Sequence, residues 1–384
     1  MGKIKKTAVV FLIVGGEILS GLAGCGQKED VYKEFSNPDN IIEEFKNPDD
    51  IIEEFSNNSE EVIKLNAQVA DVYGDAEAIV TIISDDGFYA SGENLNKIFR
   101  ERGLKCTVAG AIRIVEPELD SWKTLLEDGT INLVSHSYNH IRMEDGTAIS
   151  QDTDALKHEI VDADRWYEDT FGEEQIVFVC PENQMCELGY EILGDNSFWA
   201  VRKGKRGYNS LSPEEGTEAG QWFNLMVQGV NDDGVDISVR NNWVDTAIDD
   251  RVWLIEMWHN VMPEDDGGYQ TILIPEAEEH LDYIKVKSEG NAIWVATFDE
   301  AVKYIREKQN VEITAYIDGN KLYVYAEFMD DEISYSTFNQ PLTVYVDIPD
   351  GWTVEQTDEI KQSDGRLMLD VVPGEEQAIG LIEE

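Results

Sequence analysis

Short apolar runs alternate with segments of helical period from Ala78 to Glu307. The first run, Ala78-Ile79-Val80-Thr81-Ile82-Ile83-Ser84, is apolar at nearly every position, as a strand buried on both faces must be, and it stops at Asp85-Asp86-Gly87. Asn94–Arg102 predicts a helix, Lys105–Ile112 a strand, Trp122–Glu127 a short helix, Ile131–Val134 a strand, and Asp154–Phe171 a longer helix with an apolar stripe. The series continues with strands at Ile176–Val179, Phe198–Val201, Val252–Trp258 and Ile293–Ala296, and helices at Glu187–Leu193, Asp245–Asp249, Glu276–Val286 and Phe298–Glu307. Regular β/α alternation over about 230 residues predicts a parallel sheet, open or closed into a barrel. After Arg306 the pattern changes to short strands at Val311–Ile317, Lys321–Phe328, Glu332–Tyr335, Leu342–Ile348, Trp352–Glu355 and Arg366–Val371, separated by Asp-Gly-Asn, Asp-Asp, Pro-Asp-Gly and Ser-Asp-Gly turns. These predict a small all-β module, a sandwich by its strand count.

The N-terminal part follows neither pattern. Lys3, Lys5 and Lys6 precede a mostly apolar stretch, Thr7–Leu22, that Glu17 interrupts; it reads as targeting sequence rather than a membrane span. Leu22-Ala23-Gly24-Cys25 resembles a bacterial lipobox, which implies cleavage, lipid modification of Cys25 and an extracytoplasmic protein anchored to the cell membrane. A secretory signal with a chance cysteine is the alternative. Residues 26–72 read as an acidic spacer in which Glu-Phe-Ser/Lys-Asn recurs every ten residues at Glu34, Glu44 and Glu54; units of ten are too small to build a solenoid core. The expected organisation is therefore leader 1–25, spacer 26–72, α/β domain 73–308 and β module 309–384.

Composition narrows the function classes. A hydrophobic content of 42% with 15 Tyr, 13 Phe and 9 Trp supports a real core. A net charge of −48 excludes the basic footprint that nucleic acid or anionic lipid requires. Among the cysteines, Cys106 reads as a buried small hydrophobe, while Cys180 and Cys186 are close enough to close a short loop, and whether they pair stays open.

Chemistry concentrates at strand ends. Asp85 and Asp86 end the first strand, and Ile131-Asn132-Leu133-Val134-Ser135 ends in His136-Ser137-Tyr138-Asn139-His140. A spacing of four places two imidazoles on one helical face or around one tight turn, and with a carboxylate they form a two-His, one-carboxylate metal site. Zn, Co and Ni all suit that donor set. Five histidines in all make this pair informative.

These motifs, in this order on a β/α alternation, resemble the polysaccharide deacetylases, the NodB-homology enzymes of carbohydrate esterase family 4, over roughly residues 75–308. The resemblance implies a distorted (β/α) barrel, a divalent metal (Zn first), and hydrolysis of N-acetyl or O-acetyl groups on a polysaccharide. It makes Asp86, His136 and His140 the metal ligands and Asp85 the general base. Met257-Trp258-His259 is similar to the family's Leu-x-His motif, so His259 becomes the leaving-group acid and Met257 lines the acetyl pocket. Val179-Cys180-Pro181-Glu182-Asn183 stands where the family has Arg-x-Pro-Tyr-Gly. Pro181 is kept and Glu182 still offers a backbone N–H to an oxyanion, but Val179 replaces the arginine that orients the base. A substitute cation would have to come from Arg202, Lys203 or Arg206. Asp245 and Asp249 are candidates to pair with His259, whereas His158 and His280 read as surface residues. The rival reading is a glycan-binding lipoprotein on the same fold with weakened catalysis. An iron oxygenase is disfavoured by the ligand order, and a zinc peptidase by Ser137 where His-Glu-x-x-His needs glutamate.

Overall fold

The structure is a computed structural model that describes residues 62–383 apart from 173, 197, 214–220, 266, 331–332, 355–359 and 364. Cys25 and the ten-residue repeat lie outside the described residues. The chain enters the description through two short strands, β1 (Ile63–Lys64) and β2 (Ala67–Val69), and then builds the barrel: β3 (Ala78–Ser84), β4 (Cys106–Gly110), β5 (Ile131–Ser135), β6 (Val177–Val179), β7 (Ala200–Arg206), β8 (Leu225–Gly229) and β9 (Trp253–Trp258). These strands pair in parallel in that order, and β9 pairs back onto β3, closing the sheet. A short parallel pair, β10 (Val261–Met262) and β11 (Ile272–Leu273), sits outside the barrel sheet, and β12 (Ile293–Val295) adds to β3 outside the closed ring. The edge of β3 that β12 occupies at 78–80 is taken by β4 at 83–84, so β3 is hydrogen-bonded along its whole length. Pairing on both edges with packing on both faces is why this strand reads as one continuous apolar run.

Alternation sorts the strands' side chains into two cores. Ile79, Ile83, Ala109, Val134, Val177, Val179, Ala200, Leu225, Val227, Trp253, Ile255 and Met257 fill the barrel. Val80, Ile82, Val108, Leu133, Leu254 and Trp258 face outward against helices such as Tyr89–Arg100 and Ile274–Glu289. This is a barrel whose interior is packed with side chains rather than hollow.

Downstream, β13 (Val311–Asp318), β14 (Lys321–Phe328), β15 (Leu342–Asp347), β16 (Trp352–Val354), β17 (Lys361–Ser363), β18 (Arg366–Val371) and β19 (Glu376–Glu383) form antiparallel sheets. One has the order β1-β13-β14-β19-β16 and the other β17-β18-β15-β2, and they enclose a shared core that includes Leu322, Val344 and Leu369. The all-β module therefore takes a strand into each sheet from the segment that precedes the barrel. That corrects the spacer expected over 26–72, because Ile63–Lys64 and Ala67–Val69 are strands of the module. Tyr304, in the helix Phe298–Asn310, ties the two parts together: its hydroxyl donates to Ala70 O at 3.0 Å.

Three further expectations change. β8 was not predicted, because Leu225-Met226-Val227-Gln228-Gly229 is too short and mixed to announce itself. The strand expected at Phe198–Val201 runs instead as Ala200–Arg206, carrying charged residues out of the barrel mouth. The expected strand Glu332–Tyr335 is replaced from Ile333 by a bend and turn, which drops Ile333 and Phe338 into the barrel core. Cys106, Cys180 and Cys186 are free thiols, so Cys180 and Cys186 do not pair. No helix among the described residues is long and apolar enough to cross a membrane.

Candidate active site

A period of two builds the site. Ile83, Val134, Ala200 and Met257 all point into the barrel, and two residues further along the same faces come Asp85, His136, Arg202 and His259. Val179 itself faces inward. These groups therefore converge at the C-terminal mouth, where parallel barrels carry their chemistry. The backbone turns sharply there. Asp86 has φ 82° and Gly87 φ 87°, and a Cβ on Gly87 would collide with Gly110 Cα and the Val115 side chain, so only glycine fits.

The three expected ligands come together: one ligand atom each from Asp86, His136 and His140 lie within 4.8 Å of one another. His140 Nε2 is 3.1 Å and His136 Nε2 3.9 Å from Asp86 Oδ1. His136 is buried, and its Nδ1 lies 2.7 Å from the carbonyl of Val179, which accepts that N–H and leaves Nε2 as a lone-pair donor facing Asp86. Burial pushes the His136 pKa down to about 4, with the charges of Asp85 and Asp86 opposing. The hydrogen bond to Asp86 raises that of His140. Burial works against the Asp86 charge, but the His140 hydrogen bond and the neighbouring histidines outweigh it and lower the carboxyl. A neutral imidazole, a paired imidazole and an ionised carboxylate suit a divalent cation with borderline preferences. The donor set fits the metal that the motifs imply.

Asp85 is buried beside this cluster, and its partner is Arg202: Nη2 of the guanidinium donates to Asp85 Oδ1. Arg202 Nη1 donates to Asn183 Oδ1 at 2.6 Å and lies 3.4 Å from Met257 Sδ. Of the three substitute cations, this is the one that reaches the site. Arg206 pairs with Asp232, and Lys203 lies over the Tyr190 ring at 5.3 Å. Val179 and Arg202 are register partners on adjacent strands. The guanidinium thus enters the barrel one strand over from the position where the family motif has its arginine. Asn183 takes the motif's glycine position with φ 63°, a conformation asparagine tolerates. A Cβ on Gly204, two residues past Arg202, would fall on the Asn183 side chain. Arg202, Asn183 and Gly204 fit one another as a set.

His259 is buried opposite, with its ring edge-on to Tyr269 at 4.9 Å. Its Nδ1 has no hydrogen-bond partner among the described residues, and burial lowers its pKa despite Asp85 and Asp86 nearby. Neither expected acid reaches it: Asp245 accepts from the Tyr283 hydroxyl and from Lys287, both at 2.6 Å, on the helical layer. Asp249 also belongs to that layer, in the helix Ile237–Asp250. Pro181 and Glu182 form the turn after β6, with Glu182 at φ 48°. His158 is exposed as expected, but His280 is not a surface residue. It is fully buried against Glu256 at 2.9 Å and Asn241 at 2.8 Å, and Glu256 also accepts from Trp258 Nε1 at 2.9 Å. A histidine that stands among acids, in Glu278-Glu279-His280-Leu281-Asp282, gives no sign of such a buried partner until the strand behind the helix is placed.

No protein-family model and no curated protein matches the chain. Solved structures of carbohydrate esterase family 4 are similar to it. A family 4 carbohydrate esterase from Streptomyces lividans, in complex with acetate, is 12% identical over 58% of this chain and 93% of that chain, with a TM-score of 0.40. A family 4 acetyl xylan esterase from Clostridium thermocellum, bound to cobalt, is 16% identical over 58% of this chain and 89% of that chain, with a TM-score of 0.39. A family 4 pseudoenzyme from Bacillus anthracis is 14% identical over 59% of this chain and 65% of that chain, again at 0.39.

Proposed function

We propose that the protein hydrolyses acetyl groups, N- or O-linked, on an extracytoplasmic polysaccharide, using a divalent metal held by Asp86, His136 and His140. The observation that carries this reading is the meeting of that cluster with the Asp85–Arg202 pair and His259 on one barrel mouth. A bound metal supplies Lewis acidity toward the acyl oxygen and the attacking water. Asp85 takes the proton that water loses as its oxygen bonds the acyl carbon, and Arg202 holds the carboxylate in place. His259 delivers a proton to the departing amine or alcohol as the acyl bond breaks, giving acetate and the free sugar group. Two exposed aromatic residues flank the mouth, Phe88 beside Gly87 and Tyr269 against His259, and they offer faces on which sugar rings stack. The lipobox-like Leu22–Cys25 supports a lipid anchor that keeps the enzyme at the membrane surface.

A second reading, a glycan-binding lipoprotein with weakened catalysis, is favoured by one observation: among the described residues no carboxylate orients His259 Nδ1. Acetate release from a panel of N- and O-acetylated glycans, by protein loaded with Zn or Co, separates the two. Release that disappears in Asp85→Asn and His136→Ala establishes the hydrolase. Sugar binding without release, with metal bound, establishes the binding protein.

A further inference from the structure

The loop that carries both histidine ligands is not held by its own sequence. Ser137 has φ 70° and His140 φ 58°, so two residues other than glycine sit in the left-handed region within five positions. Such backbone persists only where its surroundings over-determine it. Within the loop itself, His140 N donates to Ser137 Oγ at 3.0 Å. From outside the loop, Ile112 N and Arg113 N donate to the Ser137 and Tyr138 carbonyls at 3.2 and 3.0 Å, and a further restraint comes from a segment some twenty residues downstream. There the helix expected over Asp154–Phe171 opens into a π turn, His158–Asp162, between the helical segments Thr153–Lys157 and Ala163–Phe171.

The π turn is placed so that one residue grips the loop three times. Glu159, only 2% exposed, accepts Asn139 N at one carboxylate oxygen and Asn139 Nδ2 at the other, both at 2.8 Å. Its main-chain carbonyl accepts Tyr138 N at 3.1 Å. In an unbroken α-helix that carbonyl would take the N–H of Ala163, but here Ala163 N–H bonds to Ile160 O, and the widened turn presents Glu159 O to the loop. A fourth contact stacks the Tyr138 ring on His158 at 4.3 Å. Tyr138 and Asn139 are the two residues directly before His140.

We propose that Glu159 is a positioning residue for the metal centre: from the π turn it clasps Tyr138 and Asn139 and so fixes His140 in ligating geometry beside His136. This rests on the reading of Asp86, His136 and His140 as metal ligands. Glu159 touches neither metal nor substrate; it acts through the loop. Loss of partners that orient ligands costs metal affinity about 10- to 100-fold.

The test is Co(II) affinity, read by competition with a chromophoric chelator, together with the visible spectrum of the bound ion, for wild type, Glu159→Ala, Asn139→Asp and the double variant Asn139→Asp with Glu159→Gln. Glu159→Ala removes both carboxylate acceptors, so affinity is expected to fall about 10- to 100-fold with a changed cobalt spectrum. Asn139→Asp, a loop change that spares the helix, sets a second carboxylate against Glu159 and is expected to do the same. The double variant restores a donor opposite an acceptor and is expected to recover affinity and spectrum, which a general loss of packing would not allow. Folded Glu159→Ala and Asn139→Asp proteins that bind Co(II) with wild-type affinity and spectrum would overturn the proposal. Acetate release is not the readout, so a wild type without hydrolase activity whose affinity still depends on Glu159 sinks the proposed function and keeps the clasp. An active wild type indifferent to Glu159 does the reverse.

Discussion

Arg202 is the residue on which the site's electrostatics turn. It is fully buried, and its guanidinium is the partner of a buried carboxylate, so removing it strands Asp85. Breaking such a pair costs about 3–5 kcal/mol, far more than an intact pair contributes net. Arg202→Met should therefore lower the urea midpoint markedly and abolish acetate release. Adding Val179→Arg should return part of both, because the two positions are register neighbours facing the same interior. His259 invites a different experiment. If it protonates the leaving group, His259→Ala should slow release from glycans by roughly 10²–10⁴ yet leave hydrolysis of an activated aryl acetate nearly untouched, since that leaving group needs no acid. Equal losses on both substrates would remove His259 from that role. Asp85, Asp86, His136, His140 and His259 were all legible in the sequence, because each follows a recognisable strand. That Arg202, rather than Lys203 or Arg206, meets Asp85 was not, since the choice depends on the register of β7 against β6.

At the scale of elements, sequence propensity and packing give opposite answers at Gly92. It lies inside the helix Tyr89–Arg100, where alanine would ordinarily gain about 1 kcal/mol. Here an added Cβ falls on the ring of Trp122, itself fully buried. Gly92→Ala should instead destabilise by about 1–3 kcal/mol, a sign that thermal unfolding decides at once. The helix Phe298–Asn310 holds a second case. Glu307 is fully buried; Gln340 N donates to one carboxylate oxygen at 2.9 Å, and the other has no partner among the described residues. Burial raises its pKa to about 8. A group that holds its proton more tightly when folded contributes stability that is full below its ordinary carboxyl range and is lost as pH rises through 8. Wild-type stability should thus decline between about pH 5 and 8 by on the order of a few kcal/mol relative to Glu307→Gln, measured by urea midpoints across that range.

At the scale of the whole molecule, charge dominates. A net charge of −48 on 384 residues means strong self-repulsion in the compact state. Monovalent salt, which shortens the Debye length to about 10 Å at 0.1 M, should raise the thermal midpoint steadily from low ionic strength, and a flat response would show that the acids are already locally compensated. The two halves of the fold are also less separate than their order in the chain suggests. β1 and β2 lead into the barrel, yet each pairs in a sheet of the C-terminal module. Truncation before Val311 would therefore leave those strands without their sheets.

The β/α alternation, the change to short strands after Arg306 and the acids and histidines at strand ends follow from the sequence alone, because hydrophobic period and strand termination are local properties that neighbouring residues write together. Closure of the sheet by β9 on β3, the recruitment of β1 and β2, the Arg202–Asp85 pair, the burial of His280 on Glu256 and the hold of Glu159 on Asn139 were decided only by tertiary structure. Each joins residues far apart in the chain through a register or a turn, and no local pattern carries that information.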